Sequence, residues 1–216
     1  MVKRSILAAA LISSVAVSPA LASTVNLITN GDFESGNTGF GSSYSFNATN
    51  ITAAQTYTVT TDPHDQHGSA TSYPDHTLGD GTGLMMAING ATSQQTFWAQ
   101  TVAVTAGTVY DFSLWLSLWY AGAVSVRLEA DDVAVGTFSA PDTKGTWEKK
   151  ATTFSFATSG NVDLKLVNLS TAFGGNDFAV DDISLTAAPA VPLPAGLPLL
   201  GGALAAFAAL RRRRKA

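Results

Sequence analysis

The stretch Val109-Tyr-Asp-Phe-Ser-Leu-Trp-Leu-Ser-Leu-Trp-Tyr120 decides the fold of this chain. Its residues alternate in type, and successive side chains of a strand point to opposite faces. The apolar face predicts a core-facing side, made of Tyr110, Phe112, Leu114, Leu116, Leu118 and Tyr120. The other face is polar but includes two tryptophans, and it carries Asp111, Ser113, Trp115, Ser117 and Trp119. The pattern predicts one long strand with its core on one side.

Similar patterns recur along the chain and predict further short strands. Val124-Ser-Val-Arg-Leu-Glu-Ala130 and Val162-Asp-Leu-Lys-Leu166 alternate cleanly, as one-side-buried antiparallel strands do. Other strands are expected at 57–60, 84–88, 98–104, 133–138, 152–156 and 178–185. Turn signals such as Asn89-Gly90 separate them. Many short strands at this spacing predict an all-β fold, an antiparallel β-sandwich.

The N-terminal residues have the layout of a secretory signal peptide. Lys3 and Arg4 precede an apolar stretch at 6–17, and Ala20 and Ala22 form an A-x-A site. Residues 1–22 are therefore expected to be a signal helix that is removed on export. A buried first helix of the mature protein is the alternative.

The C-terminal residues have the layout of a membrane segment. Residues 193–210 carry no charge, and five positive charges follow them at 211–215. Such a stretch can cross a bilayer as a helix with its basic end in the cytoplasm.

The same end of the chain resembles the PEP-CTERM class of sorting signals. The resemblance rests on the order of Pro motif, apolar helix and arginine cluster at 189–216, in the VPLPA variant: Val191, Pro192, Leu193, Pro194, Ala195, Arg211, Arg212, Arg213 and Arg214. It implies processing by an exosortase, transient anchoring in the inner membrane, and release to the cell surface or extracellular space. A permanent tail anchor is the alternative.

The net charge of the segment between these two ends limits the classes of partner that it can bind. It holds all 16 acidic residues but only five basic ones, Arg127, Lys144, Lys149, Lys150 and Lys165, which leaves a net charge of −11. An acidic surface repels nucleic acid and favours divalent cations. The chain has no cysteine, so no disulfide stabilises it. Residues 23–188 have the length of one domain with its own core.

Two segments of this domain resemble the first and last strands of a carbohydrate-binding jelly roll of the galactose-binding-like superfamily. They are Asn26-Leu-Ile-Thr-Asn-Gly-Asp-Phe-Glu-Ser-Gly36 and Phe178-Ala-Val-Asp-Asp-Ile-Ser-Leu185. The resemblance implies a structural Ca²⁺ that ties the opening segment to the last strand, with Glu34 and Asp181 as ligands and Asp32 and Asp182 beside them. Backbone carbonyls or water would complete its coordination. The alternative is an ordinary turn and a solvated strand end.

Trp115 and Trp119 are the candidate carbohydrate-binding residues. Flat aromatic rings beside serine hydroxyls can combine stacking on a sugar with hydrogen bonds. The alternative is that the long connection at 62–83 folds over both rings and makes them packing residues.

The histidines suggest a second functional hypothesis. One loop-like stretch holds Asp62, His64, Asp65, His67, Asp75 and His76, and a secreted metal-dependent hydrolase would use such a loop. The alternative is a loop rich in Gly, Ser and Pro that collects polar residues without a function. Their spacing matches no zinc signature, and the chain has no nucleophile motif. The leading hypothesis is therefore a non-enzymatic module that binds glycan, or serves as matrix structure, at the cell surface or in an exopolysaccharide matrix.

Overall fold

A computed structural model describes residues 25–172, 174–189 and 211 of this chain. The predicted signal helix, the VPLPA motif and the apolar segment before Arg211 lie outside these residues. Within the described residues, no helix is long and apolar enough to cross a membrane.

The described chain forms two β-sheets. Ten strands make them up: β1 (Ser45–Phe46), β2 (Thr56–Thr60), β3 (Met85–Asn89), β4 (Gln95–Val104), β5 (Val109–Leu118), β6 (Ser125–Ala130), β7 (Val133–Ser139), β8 (Glu148–Ser155), β9 (Gly160–Asn168) and β10 (Phe178–Ala187). One sheet has the order β1-β2-β3-β10-β5-β8, and the other has the order β4-β9-β6-β7. All pairings are antiparallel except that of β1 with β2. The predicted antiparallel β-sandwich is confirmed.

The main core lies between the two sheets, where the alternation of β5 predicted it. Phe112, Leu114 and Leu116 are fully buried there, and they pack with apolar residues of β4, β6, β9 and β10. Tyr120 is the exception, because pairing of β5 ends at Leu118 and the Tyr120 ring is 39% exposed. Its assignment to the core face was wrong.

A second apolar cluster lies on the outer face of the six-stranded sheet. Met85 and Ala87 of β3 alternate with Met86 and Ile88, which face the main core. The long connection between β2 and β3, residues 61–84, covers this outer face. We call the cluster the satellite core; it comprises Ile51, Ala70, Tyr73, Met85, Ala87, Trp119 and Ala179.

The opening segment is tied to the last strand by hydrogen bonds. Leu27 N donates to Leu185 O, and Ile183 N donates to Gly31 O, each at 2.8 Å. A Cβ on Gly31 would lie 2.0 Å from Ile183 O, so only glycine allows this approach. Beside it, β10 has a bulge between Asp181 and Ser184.

Candidate functional site

A pocket of about 210 Å³ opens at one end of the six-stranded sheet. β3 ends at Asn89, β10 begins just after Asp177, and β5 ends just before Trp119 and Tyr120. The three strands are antiparallel neighbours, and Phe178 of β10 pairs with both Ile88 and Leu118, so the residues just beyond these positions lie side by side at one end of the sheet. We call this the end pocket; its lining includes Thr52, His67, Ser69, Asn89, Gly90, Thr92, Tyr120, Asn176 and Asp177.

The polar side chains at the base of the end pocket are held by backbone groups. Asp177 is only 6% exposed, and its Oδ1 accepts the Gly90 N–H at 3.0 Å. Asn176 donates its Nδ2 hydrogens to Ala91 O at 2.8 Å and Ser170 O at 3.2 Å. Asn89 donates from Nδ2 to Ile51 O at 2.7 Å. These bonds fix the orientation of all three side chains.

Glycines allow the connections around the end pocket to pack closely. A Cβ on Gly90 would lie 2.2 Å from Asn176 Cγ, and one on Gly122 would lie 1.6 Å from Gly175 O. Gly175 also has φ of 79°, in the left-handed region that glycine adopts without strain. These glycines bring the β9–β10 connection against the end of β5.

The rim of the end pocket is aromatic. The exposed Tyr120 ring lines it together with His67. His67 packs on Trp119 with ring centroids 5.0 Å apart, and its Nδ1 accepts the Ser69 N–H at 3.3 Å. The pocket therefore offers a flat ring beside hydroxyl, amide and carboxylate groups.

The two tryptophans proposed to bind carbohydrate lie under the connection at 61–84. Trp119 is fully buried in the satellite core, and its Nε1 donates to Phe178 O at 2.8 Å. Trp115 is half-buried, and His76 stacks on it with ring centroids 3.6 Å apart. The connection thus buries Trp119 and partly covers Trp115, as in the alternative in which the rings are packing residues. A role of either ring in carbohydrate binding stays a prediction.

The four carboxylates proposed for Ca²⁺ do not converge on one point. The structure forms no group of three or more metal-ligating side chains among its described residues. Glu34 Oε1 accepts the Leu84 N–H at 2.7 Å, whereas Asp32 and Asp182 line a shallow groove on the opening segment. In this arrangement they do not fit a shared calcium site, and calcium binding stays a prediction.

Asp181 is a buried carboxylate that fixes the connection over the sheet. Its Oδ2 accepts the N–H groups of His76 at 2.8 Å and Thr77 at 3.2 Å, and its Oδ1 accepts Asp182 N–H at 2.8 Å. Burial raises the pKa of Asp181 to about 7, with the Asp182 charge adding to the increase and the N–H donors opposing it.

The three histidines of the connection have separate partners. His64 Nδ1 bonds Ala70 O at 2.8 Å, His67 packs on Trp119, and His76 Nδ1 bonds Asp182 Oδ2 at 2.5 Å. Asp75 accepts the N–H groups of Leu78 and Gly79. The loop thus does not assemble the metal site that the hydrolase hypothesis needs.

Comparisons with known proteins place the chain by fold. No protein-family model matches it, and no curated protein sequence matches it. A Stig cyclase from Fischerella sp. TAU superposes with a TM-score of 0.56 at 14% identity, covering 78% of this chain and 100% of that one. A cyclase from the same organism, in complex with 4-(1H-indol-3-yl)butan-2-one, gives 0.55 at 15% identity, covering 79% and 100%.

Carbohydrate-binding modules are also among the structural neighbours. One in complex with β-1,4-galactotriose has a TM-score of 0.45 at 17% identity, covering 76% of this chain and 99% of that one. The two cyclase superpositions show a shared β-sandwich fold, and a shared fold does not fix function.

Sequence reasoning missed the end pocket. Asp177, Asn176 and Asn89 stand in turn-like stretches where polar residues are ordinary. A usable signal was their position, since Asn89 directly follows the predicted strand at 84–88, and Asn176 and Asp177 are the two residues before the predicted strand at 178–185.

Proposed function

We propose that this protein is a non-enzymatic carbohydrate-binding module whose sugar site is the end pocket. The observation that carries the proposal is the combination of a small polar pocket with an exposed Tyr120 ring at its rim. Its volume lies below the about 300–1,000 Å³ typical of pockets for drug-sized ligands, which suits a single sugar ring.

The chemistry of the lining fits a sugar. Sugar hydroxyls both donate and accept hydrogen bonds, and the lining supplies the hydroxyls of Thr52, Ser69 and Thr92 together with two amides and a carboxylate. The apolar C–H face of a sugar ring packs on a flat aromatic ring, which Tyr120 presents to solvent.

A glycan array probed with the purified chain and with Tyr120→Ala tests this proposal. We expect binding by the wild type, and loss of aromatic packing should weaken it by about three- to tenfold in Tyr120→Ala. Phe46→Ala is the matched control, because Phe46 is a comparably exposed aromatic ring that does not line the pocket. Failure of every glycan to bind, or equal weakening in both variants, would contradict the proposal.

We also propose that the module acts outside the cell. The order of signal peptide, acidic domain, VPLPA motif and arginine cluster supports export, exosortase processing at the membrane, and display on the surface or in an exopolysaccharide matrix. An acidic module at neutral pH is soluble and does not bind nucleic acid, which agrees with such a location.

A further inference from the structure

The end pocket contains a half-satisfied carboxylate. Asp177 Oδ1 accepts the Gly90 N–H, whereas Oδ2 accepts no hydrogen bond from any residue that the structure describes. The residue is only 6% exposed. Oδ2 is not one of the fully buried polar atoms that lack a partner, so it reaches the water of the pocket, where a donor from a ligand can bind it.

The neighbouring amides add acceptors rather than donors. Asn89 and Asn176 each direct Nδ2 to a backbone carbonyl, so each leaves its Oδ1 without a donor among the described residues. No lysine or arginine is among the residues that line the pocket. The two amides and Asp177 therefore contribute three acceptor oxygens, one of them charged, beside the hydroxyls of Thr52, Ser69 and Thr92. Among the described residues of the lining, His67 is the one side chain that can carry a positive charge.

Burial makes the charge of Asp177 sensitive to its surroundings. It raises the pKa of this carboxyl above the ordinary value, while the Gly90 N–H and His67 oppose the shift. A cation placed beside the carboxylate favours its ionised form and forms a charge-assisted hydrogen bond. A second carboxylate at the same place would be repelled.

We propose that the end pocket selects a sugar that carries a protonated amine, with the ammonium group against Asp177, and discriminates against uronic acids. The ammonium group supplies three donors and no acceptor, which matches the acceptor-rich base of the pocket. This inference rests on the proposed carbohydrate-binding function and adds the class of sugar to it.

The test is isothermal titration calorimetry of the full chain with glucosamine, N-acetylglucosamine and glucuronate at about pH 6.5, where an amine is protonated. We expect glucosamine to bind about tenfold more tightly than N-acetylglucosamine, the difference between a charged and a neutral hydrogen bond. Glucuronate should bind weakest. Because these three sugars are compared on the wild type, the result does not depend on the folding of any variant.

Two variants assign the preference to the pocket. Asp177→Asn should remove the glucosamine preference, whereas Asp142→Asn, which removes the same charge at an exposed position outside the pocket, should retain it. Preference kept in Asp177→Asn, or lost equally in both, overturns the inference. Tighter binding of N-acetylglucosamine or glucuronate by the wild type overturns it but leaves carbohydrate binding standing. Failure of all three sugars, together with the glycan array, refutes the proposed function as well.

Discussion

Replacing Trp119 by alanine tests whether the satellite core is an integral part of the fold. The indole is fully buried, and truncating a buried tryptophan or phenylalanine to alanine costs about 3–5 kcal/mol. Loss of the Nε1 hydrogen bond to Phe178 O adds about 1 kcal/mol. We therefore expect Trp119→Ala to lower the free energy of unfolding by about 4–6 kcal/mol.

Urea-induced unfolding followed by circular dichroism measures this loss. Trp115→Ala is the matched control on the same strand face, because Trp115 is half-buried and its Nε1 donates to no described residue; it should cost about 1–2 kcal/mol. If Trp119→Ala does not fold, Trp119→Phe keeps most of the ring and should lose about 1–2 kcal/mol. A loss below about 1 kcal/mol in Trp119→Ala, or equal losses in both alanine variants, would refute the buried arrangement.

Three further predictions concern Asp181, calcium and the C-terminus. Burial raises the Asp181 pKa to about 7 in the folded state, so the folded protein binds a proton at this carboxyl more tightly than the unfolded chain does. The stability that this proton adds is fully present below about pH 4, near the pKa of an unfolded Asp, and is lost as the pH rises through 7. The free energy of unfolding should thus fall by up to about 4 kcal/mol over that range in the wild type but not in Asp181→Asn, and parallel pH profiles would contradict this. The predicted calcium site is tested by melting curves with calcium and with chelator: a calcium-dependent rise in the unfolding temperature that Glu34→Ala abolishes is expected, whereas equal curves would contradict the site and agree with the N–H donors that already hold Glu34 and Asp181. Mass spectrometry of exported material should find the residues after the VPLPA motif removed, whereas an intact Lys215-Ala216 would leave the tail-anchor alternative.

The alternation of side chains made most of the fold predictable. Nine of the ten strands were expected, with ends that differ by at most four residues from those observed. β5 and β6 show why: each has one apolar face, and the strand period of two assigns the buried side directly. β1 was missed because Ser45–Phe46 is a two-residue strand with both side chains exposed.

The site could not be read from the sequence because contacts between distant residues form it. Asp177 meets Gly90 across 87 positions, and His76 meets Asp181 across 105. Alternation gives the face of a residue but not which connection covers that face. The alternation therefore assigned Trp119 to the outer side of β5 correctly. It did not show that the connection at 61–84 covers this side and buries the ring.

The end of β5 links the packing of this domain to its proposed site. Beyond Leu118 strand pairing stops, so the adjacent Trp119 and Tyr120 take different environments, one buried and one at the rim of the end pocket. Trp119 donates a hydrogen bond to the carbonyl of Phe178, the residue after Asp177. The ring of Trp119 also packs against that of His67, which lines the same pocket. A change that loosens Trp119 therefore displaces two pocket residues without touching the sugar. Trp119→Phe should weaken sugar binding more than Trp115→Ala does, even where the two variants lose similar stability.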